Sequence, residues 1–388
     1  MKTVTKSDHL SHIVIEGYKS IASCDLRMGC LNVLIGANGA GKSNFIGFFR
    51  LIATLLDLRL QLLISKSGGP DALLHFGRKK TEVLKCELYF GNNGYKFALE
   101  PTNDNRMMFQ KETLRWEMNN DEKTPRSGTI VTSEQDNRSG HFESVAGDDR
   151  SHYFDPLNED DHSRIEKYTL PAMRRWRVYH FHDTSESAKV KQIHRINDND
   201  YLREDGANLA AFLFRLQKNH TAHYQRIVKT IQMVAPFFGD FYLRPTPDNS
   251  DSIQLEWIEK DQDIPFKAHE LSDGTLRFIL LATVLLQPET YMPSAIIIDE
   301  PELGLHPYAI NVLAALIRSA SEQHQLIVST QSVELVNEFE AEDLIVVDKH
   351  LGASTFKRLD QDSLQEWLED YSLGELWKKN ILGGRPQR

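Results

Sequence analysis

The segment Ala295-Ile-Ile-Ile-Asp-Glu300 decides the fold of this chain. Its apolar run predicts a strand that is buried on both faces, as the strands of parallel α/β sheets are. Parallel sheets present ligands at the carboxyl ends of their strands, where Asp299 and Glu300 lie. One carboxylate at such a strand end can hold Mg²⁺ and the other can orient water. We therefore assign the metal to Asp299 and the attacking water to Glu300.

A glycine-rich loop, Gly36-Ala-Asn-Gly-Ala-Gly-Lys-Ser43, matches the pattern G-x-x-x-x-G-K-S in full. An apolar strand at residues 31–35 precedes it, and a long helix is predicted from residue 44 to about 63. Lys42 should reach the β- and γ-phosphates of ATP, and the Ser43 hydroxyl should ligate Mg²⁺. The candidate nucleotide-binding residues of the loop are Gly36, Asn38, Gly39, Ala40, Gly41, Lys42, Ser43 and Asn44.

A second candidate phosphate contact lies in Leu271-Ser-Asp-Gly-Thr275, upstream of the acidic strand. The Ser272 hydroxyl and the Gly274 N–H, placed at a helix N-terminus, can contact a γ-phosphate, although the same turn can be an ordinary helix cap. Most P-loop enzymes have no such turn. A chain that carries both should work as a pair of molecules.

The composition limits the class of protein. A chain of 388 residues with 40% hydrophobic residues can bury a sizeable core. No apolar run approaches the roughly 18 residues that span a bilayer, and residues 1–10 are polar, so we expect a cytoplasmic protein without a membrane partner. The net charge of -10 argues against a surface that binds nucleic acid everywhere, but it allows a local basic patch.

Four segments are expected along the chain. They are an N-terminal ATPase lobe with the glycine-rich loop and antiparallel strands (1–100), an inserted lid or helical region (101–235), a C-terminal ATPase lobe (236–350), and a helical tail (351–388). Much of the acidity lies in residues 119–164. We interpret that stretch as a solvated, partly disordered loop, with an acidic docking site as the alternative.

Residues that often bind metals are given other interpretations. The three cysteines lack a C-x-x-C spacing and are expected to be buried free thiols. His180 and His182, with His194 nearby, could share a metal, but no third acid or thiol has a convincing spacing. A zinc site is therefore disfavoured.

Together these motifs resemble an ATP-binding-cassette ATPase of the SMC/RecF-like class, close to the predicted bacterial ATPases related to the heads of OLD-family nucleases. The resemblance implies an α/β P-loop fold of the ABC-type head, with a mixed sheet, an antiparallel β lobe and an inserted helical or irregular segment. The matching pieces are Ile15-Glu-Gly-Tyr-Lys-Ser-Ile21, Gly36 to Ser43, Leu271 to Thr275, Ile297 to Pro307, Ser329 to Ser332, Leu373-Gly-Glu-Leu-Trp377 and Gly383-Gly-Arg-Pro386.

The resemblance also implies how the residues share the work. Two molecules would form a head-to-tail homodimer, or a higher homo-oligomer, with ATP and Mg²⁺ held between the heads. Each ATP would contact the P-loop of one subunit and Ser272 and Gly274 of the other. Lys19 and Ser20 would lie near the base or ribose, and residues 302–306 would form the D-loop.

Two positions depart from the cassette pattern. Asp273 stands where a glycine is frequent. Gln331 occupies the switch position, where histidine is usual, and an amide cannot carry the charge of a protonated imidazole to the γ-phosphate. We take Glu300, Lys42 and Gln331 as the catalytic residues and expect slow hydrolysis. The Q-loop glutamine is not placed, and Gln110 is its one candidate.

The predicted function is an ATP-driven dimerisation switch for a DNA-related process in bacterial anti-phage defence. The segment after Asp348 is short, so we expect the effector, a nuclease or toxin, to be separately encoded; DNA is a further candidate partner. The alternatives are a RecF-like DNA repair ATPase and a slowly hydrolysing regulatory scaffold. A transporter subunit is disfavoured, because Lys42 and Ser272 lie far apart in the chain.

Overall fold

In the computed structural model, residues 9–118, 126–134, 143–144 and 169–384 are described. They form two compact units. Unit 1 comprises Met1–Trp176 with Ala341–Arg388, and unit 2 comprises Arg177–Glu340. The four segments predicted from the sequence stay a prediction.

Both units contain strands and helices. The strands are β1 His12–Tyr18, β2 Ile21–Arg27, β3 Leu31–Ile35, β4 Leu84–Phe90, β5 Asn93–Pro101, β6 Met107–Met118, β7 Arg126–Glu134, β8 Trp176–Tyr179, β9 His194–Arg195, β10 Phe238–Phe241, β11 Pro245–Thr246, β12 Asn249–Ile253, β13 Glu256–Glu259, β14 Pro265–Lys267, β15 Ala295–Asp299, β16 Gln325–Thr330, β17 Leu344–His350 and β18 Ala353–Arg358. The helices are α1 Lys42–Leu56, α2 Leu60–Ser67, α3 Leu209–Asn219, α4 Thr221–Val234, α5 Asp273–Leu286, α6 Pro307–Ser321, α7 Val333–Val336, α8 Gln365–Leu368 and α9 Leu373–Lys378.

Unit 1 contains an antiparallel sheet with the strand order β2-β1-β4-β5-β6-β7. Its strands alternate between buried and more exposed residues, as one-sided sheets do. The aromatic ring of Trp176 packs against Phe90 of this sheet and against Phe49 of α1, with centroid distances of 6.0 and 5.1 Å. These rings form part of the core that fixes α1.

Unit 1 also contains the strand that carries the glycine-rich loop. The five residues of β3 are all buried, and the strand pairs in parallel with β17, which in turn pairs antiparallel with β18. The ring of Phe45 on α1 lies 5.2 Å from that of Phe356 on β18. The loop therefore starts from a strand and ends in a helix that are both held by the C-terminal part of the chain.

Unit 2 contains the acidic strand. β15 is fully buried and pairs in parallel with β16, with Asp299 opposite Ser329. Helix α5 is almost entirely buried and packs between α4 and α6. Two small antiparallel sheets, β10-β13-β14 and β11-β12-β9, complete the unit.

Several predicted elements differ from the structure. The helix predicted from residue 44 to about 63 is wrong in length: α1 ends at Leu56 and α2 begins at Leu60, because Leu58 has a φ of +57°, which a helix cannot contain. The acidic stretch 119–164 lies mostly outside the described residues. Within it, the prediction of a loop is wrong for β7, which pairs with β6.

The cysteine prediction is confirmed in part. Cys24, Cys30 and Cys86 are free thiols, but Cys30 is exposed. Burial raises the pKa of the Cys24 thiol to about 12, so this group stays protonated at neutral pH. In the described part of the chain, no helix has both the length and the apolar character that a membrane span requires.

The turn between β17 and β18 gives a stability prediction. Leu351 and Gly352 form a two-residue turn, because His350 pairs with Ala353, and their φ angles are +49° and +86°. Asn-Gly is the preferred pair for such a turn, and the Leu351 side chain is 88% exposed, so Leu351→Asn loses little burial. We expect Leu351→Asn to raise the free energy of unfolding by about 1 kcal/mol in chemical denaturation.

Leu62→Asn is the matched control for that substitution. Leu62 is 51% exposed on helix α2, where asparagine is the poorer helix former, so this variant should be slightly less stable than the wild type. A Leu351→Asn protein that is no more stable than the Leu62→Asn protein would contradict the prediction.

Candidate nucleotide site

The glycine-rich loop of unit 1 ends in an uncapped helix N-terminus. Gly39 and Gly41 have φ angles of +77° and +121°, which L side chains rarely adopt. Gly41 is the N-cap of α1, and no side chain accepts a hydrogen bond there. The start of a 15-residue helix such as α1 can bind an anion through its backbone N–H groups.

The lysine of the loop is folded back onto the loop itself. Lys42 is only 5% exposed, and its ammonium group donates to the carbonyl oxygens of Gly36 at 2.6 Å and Ala37 at 3.1 Å. Asn38 and Ser43 are exposed. The loop thus combines a buried cation with an exposed hydroxyl, which suits a phosphate and an oxygen-preferring metal ion.

Ser20 and Asn44, both predicted to contact the nucleotide, lie next to each other beside the loop. The amide of Asn44 donates to the Ser20 hydroxyl at 2.7 Å. The Ser354 hydroxyl of β18 donates to the carbonyl oxygen of Ala40 at 2.6 Å and lies 2.8 Å from the same Ser20 hydroxyl, from which it can accept. Neighbouring Lys19 has a φ of +47°, and burial, with a smaller effect of Arg50, lowers the pKa of its ammonium group.

Two hydrogen bonds fix Asp299, the last residue of the acidic strand β15 in unit 2. Asp299 is 9% exposed, and the hydroxyl of Ser329 on the paired strand donates to its carboxylate. The Nε2 atom of His182 lies 3.1 Å from the Asp299 carbonyl oxygen, so Nε2 carries the proton in this contact. The carboxylate end of β15 is therefore fixed in both its side chain and its backbone.

Glu300 stands in a strained conformation next to the switch residue. Its φ is +46°, which is uncommon for a residue other than glycine and is typical of functional sites. Its N–H donates to the Ser329 carbonyl oxygen at 2.9 Å, and the side-chain amide of Gln331 donates to its carboxylate. The structure thus brings together two residues that the sequence predicted to be catalytic.

Ser272 and Gly274 begin helix α5, and each has an additional structural role. The Ser272 hydroxyl accepts from the Thr275 N–H at 3.2 Å, so it is a helix cap and is also exposed. A Cβ atom at Gly274 would collide with the carbonyl oxygen of Gly304. Glycine at 274 lets the start of α5 lie directly against the backbone of residues 302–306.

Arg277, one helical turn further along α5, was not identified from the sequence. Its guanidinium donates to the carbonyl oxygens of Phe181, His182 and Leu303, at 3.1, 3.0 and 3.0 Å, and to the Thr184 hydroxyl at 3.2 Å. It therefore joins α5 to the residues around His182 and to the 302–306 loop. A planar group with five donors suits such a set of acceptors.

Glu302 is a buried acid that connects the 302–306 loop to the end of β16. One carboxylate oxygen accepts from the Thr330 hydroxyl at 2.6 Å and from the backbone N–H groups of Gln331 and Ser332 at 2.9 and 3.2 Å. Its other oxygen is buried without a hydrogen-bond partner. Burial raises the pKa of the Glu302 carboxyl, and the hydrogen bonds from Thr330 and Gln331 oppose this shift.

The sequence contained weak signals for the residues it missed. His182 was considered only as a metal ligand, and Gln110 lies exposed on β6 of the antiparallel sheet. Ser354 and Arg277 act on backbone carbonyl groups, for which a sequence carries no pattern. Among the described residues, no group of three or more His, Cys, Asp and Glu side chains could hold a metal ion.

A family model described as "AAA domain, putative AbiEii toxin, Type IV TA system" matches residues 31–337. The chain belongs to this family. The match includes the P-loop, the Ser272 turn, the acidic strand and Gln331, and it ends before β17. The match to an AAA domain agrees with the P-loop ATPase that the sequence motifs predicted.

One curated protein is similar to this chain in sequence. Over 150 residues, or 34% of this chain, the sequence is 27% identical to the Old nuclease of Escherichia phage P2, and the match covers 26% of that nuclease. The chain thus spans about a quarter of the relative's length.

Two solved structures are similar in fold. One is an Smc head bound to the C-winged helix domain of ScpA, with 14% identity and a TM-score of 0.56, covering 92% of this chain and 99% of that one. The other is an Smc head with an extended coiled coil, bound to the C-terminal domain of ScpA from Pyrococcus furiosus, with 13% identity, a TM-score of 0.56, and coverage of 93% and 99%. The predicted fold class, an ABC-type α/β head with mixed and antiparallel sheets, is confirmed.

The contact between Gly274 and Gly304 can be tested by substitution. Gly274→Ala places a methyl group against backbone atoms, which cannot move aside as a side chain can, so the free energy of unfolding should fall by about 2 kcal/mol. Gly47→Ala is the control. Gly47 lies within α1, and a Cβ there would meet only the Tyr18 hydroxyl, at 3.6 Å. That variant should be neutral or more stable by up to about 1 kcal/mol, and equal losses in chemical denaturation would exclude a specific contact.

The buried Glu302 carboxyl predicts a pH dependence of stability. Because its pKa is raised in the folded protein, its contribution is fully present below the ordinary pKa and is lost as the pH rises through the raised value. Glu302→Gln cannot ionise, so the free energy of unfolding of this variant should increase relative to that of the wild type as the pH rises above about 4.5. Parallel pH profiles for the two proteins would contradict the assignment.

Proposed function

We propose that this AAA family protein binds ATP with Mg²⁺ and hydrolyses it slowly. Lys42 and the N–H groups at the start of α1 bind the phosphates, Ser43 and Asp299 hold the metal ion, and Glu300 orients the attacking water. The contact between Gln331 and the carboxylate of Glu300, at a strained backbone position, is the observation that carries this proposal. Bound Mg²⁺ would neutralise charge that develops on the phosphate oxygens.

The second part of the proposal is ATP-dependent dimerisation. Ser272 is exposed at the N-terminus of α5, where a hydroxyl and N–H groups can meet the γ-phosphate of an ATP bound to a second molecule. Arg277 and Gly274 hold this helix start against residues 302–306, so the γ-phosphate contact and the D-loop would respond together. The expected assembly is a head-to-tail homodimer or a higher homo-oligomer.

The third part concerns the biological process. We propose that dimerisation switches a DNA-related process, anti-phage defence, in concert with a separately encoded nuclease or toxin. The family description, which names a putative AbiEii toxin of a type IV toxin–antitoxin system, and the similarity to the Old nuclease support this proposal. RecF-like DNA repair is the neighbouring alternative, and a transporter subunit is the least supported.

A regulatory scaffold that binds ATP and hardly hydrolyses it is the second candidate function. Gln331 supports it, because the amide donates to Glu300 and carries no charge that could stabilise the γ-phosphate in the transition state. The two candidates differ in turnover and agree in nucleotide binding and dimerisation.

Glu300→Gln separates them. In the ATPase version this substitution removes the group that polarises water, so steady-state ATP turnover should fall by about a hundredfold or more. ATP binding should persist, and the ATP-bound dimer should accumulate, because the sandwiched nucleotide is no longer cleaved. Phosphate release and the molar mass measured by light scattering with ATP and Mg²⁺ would report both effects.

Glu322→Gln is the charge-matched control. Glu322 is exposed at the end of α6, so this variant should hydrolyse ATP and dimerise as the wild type does. Equal, near-zero turnover in wild type and Glu300→Gln would reject the ATPase version and favour the scaffold. Failure of the wild type to bind ATP would reject both.

A further inference from the structure

The C-terminal part of unit 1 touches the P-loop at its first residue. Asp348 lies on β17, and Gly384 follows helix α9, beyond the residues that the family model matches. The Gly384 N–H lies 2.9 Å from each carboxylate oxygen of Asp348, and the Gly384 carbonyl oxygen accepts from the Ala37 N–H at 2.7 Å. We call Asp348 and Gly384 the C-terminal latch.

The latch fixes the peptide group that holds the P-loop lysine. The peptide group between Gly36 and Ala37 donates its N–H to Gly384, and its carbonyl oxygen, on Gly36, accepts from the Lys42 ammonium at 2.6 Å. A shift of this peptide group would therefore move the acceptor of the Lys42 ammonium. The hydrogen bond to a carboxylate is charge-assisted, which makes it stronger than a bond between neutral groups.

The backbone at the latch admits only glycine without strain. Gly383 and Gly384 have φ angles of +86° and +82°. A Cβ at Gly384 would lie 3.1 Å from the indole nitrogen of Trp377 and 3.4 Å from the Cα of Gly36. Trp377 is buried, so it has little room to withdraw. This close approach places the end of the described chain directly against the start of the P-loop.

We propose that Asp348 and Gly384 are positioning residues for nucleotide binding, which hold the first turn of the P-loop in its phosphate-binding shape. This inference rests on the proposed binding of ATP by the P-loop. It adds that ATP affinity depends on a segment beyond the matched ATPase residues. A partner or modification that detached this segment would lower ATP affinity without touching the nucleotide.

The test measures binding of a fluorescent, non-hydrolysable ATP analogue with Mg²⁺ to the full chain. Asp348→Ala removes the charge-assisted hydrogen bond, and Gly384→Ala adds a Cβ that crowds Trp377 and Gly36. Each should raise the Kd by about tenfold. Asp348→Asn keeps one oxygen that can accept from Gly384, so its Kd should stay within about threefold of the wild-type value. Hydrogen exchange of the Ala37 amide should be faster in Asp348→Ala.

Gly68→Ala is the matched control, because Gly68 also has a positive φ, +94°, but its Cβ would meet no atom within 4 Å. Without nucleotide, the Tm of Gly68→Ala should fall by about as much as that of Gly384→Ala. Its Kd for the analogue should stay at the wild-type value. The inference is overturned if Asp348→Ala binds within twofold of the wild type, or if Gly68→Ala loses as much affinity as Gly384→Ala. A wild type that does not bind the analogue refutes the proposed function instead.

Discussion

The parallel pairing of β3 with β17 is the constraint on which the nucleotide-binding loop depends. The two strands approach so closely that a Cβ at Gly36 would collide with the carbonyl oxygen of Val347, so the loop can begin only with glycine. The same pairing places Asp348 beside the loop and, through the hairpin to β18, brings Ser354 to the Ala40 carbonyl oxygen. The first glycine of the motif is thus required by strand packing, in addition to its role in the proposed phosphate site.

Close backbone approach also organises unit 2, by different means. Gly274 admits the Gly304 carbonyl oxygen, and Arg277 donates to the neighbouring carbonyl oxygen of Leu303. Glu302 does the complementary work, because its buried carboxylate accepts the N–H groups at the end of β16. Arg277, a donor, and Glu302, an acceptor, therefore both fix the position of the 302–306 loop. A change at the start of α5 would be transmitted to the 302–306 loop through rigid contacts.

Local sequence predicted the parts of the site in which a residue acts on its own neighbours. The glycine spacing before Lys42 and the apolar run before Asp299 predicted strand, loop and helix in the right order, since both patterns are consequences of local geometry. The contacts of Ser354, Gly384 and Arg277 could not be predicted, because they join residues far apart in sequence and act on backbone atoms. The predicted length of α1 was wrong for a related reason. Nothing in the composition around Leu58 indicates its left-handed conformation.

The contact of Gln331 with Glu300 indicates what the Gln331 side chain can do. The amide donates to one carboxylate oxygen and leaves the other free to accept from water, so it can orient the base without supplying charge. A protonated histidine would add stabilisation of the γ-phosphate in the transition state, which an amide gives only weakly. The strained φ of Glu300 is consistent with orientation as the main task, because a fixed backbone removes freedom that the side chain would otherwise have to lose. Positioning without charge favours a long-lived ATP-bound state, which is the property that a dimerisation switch requires.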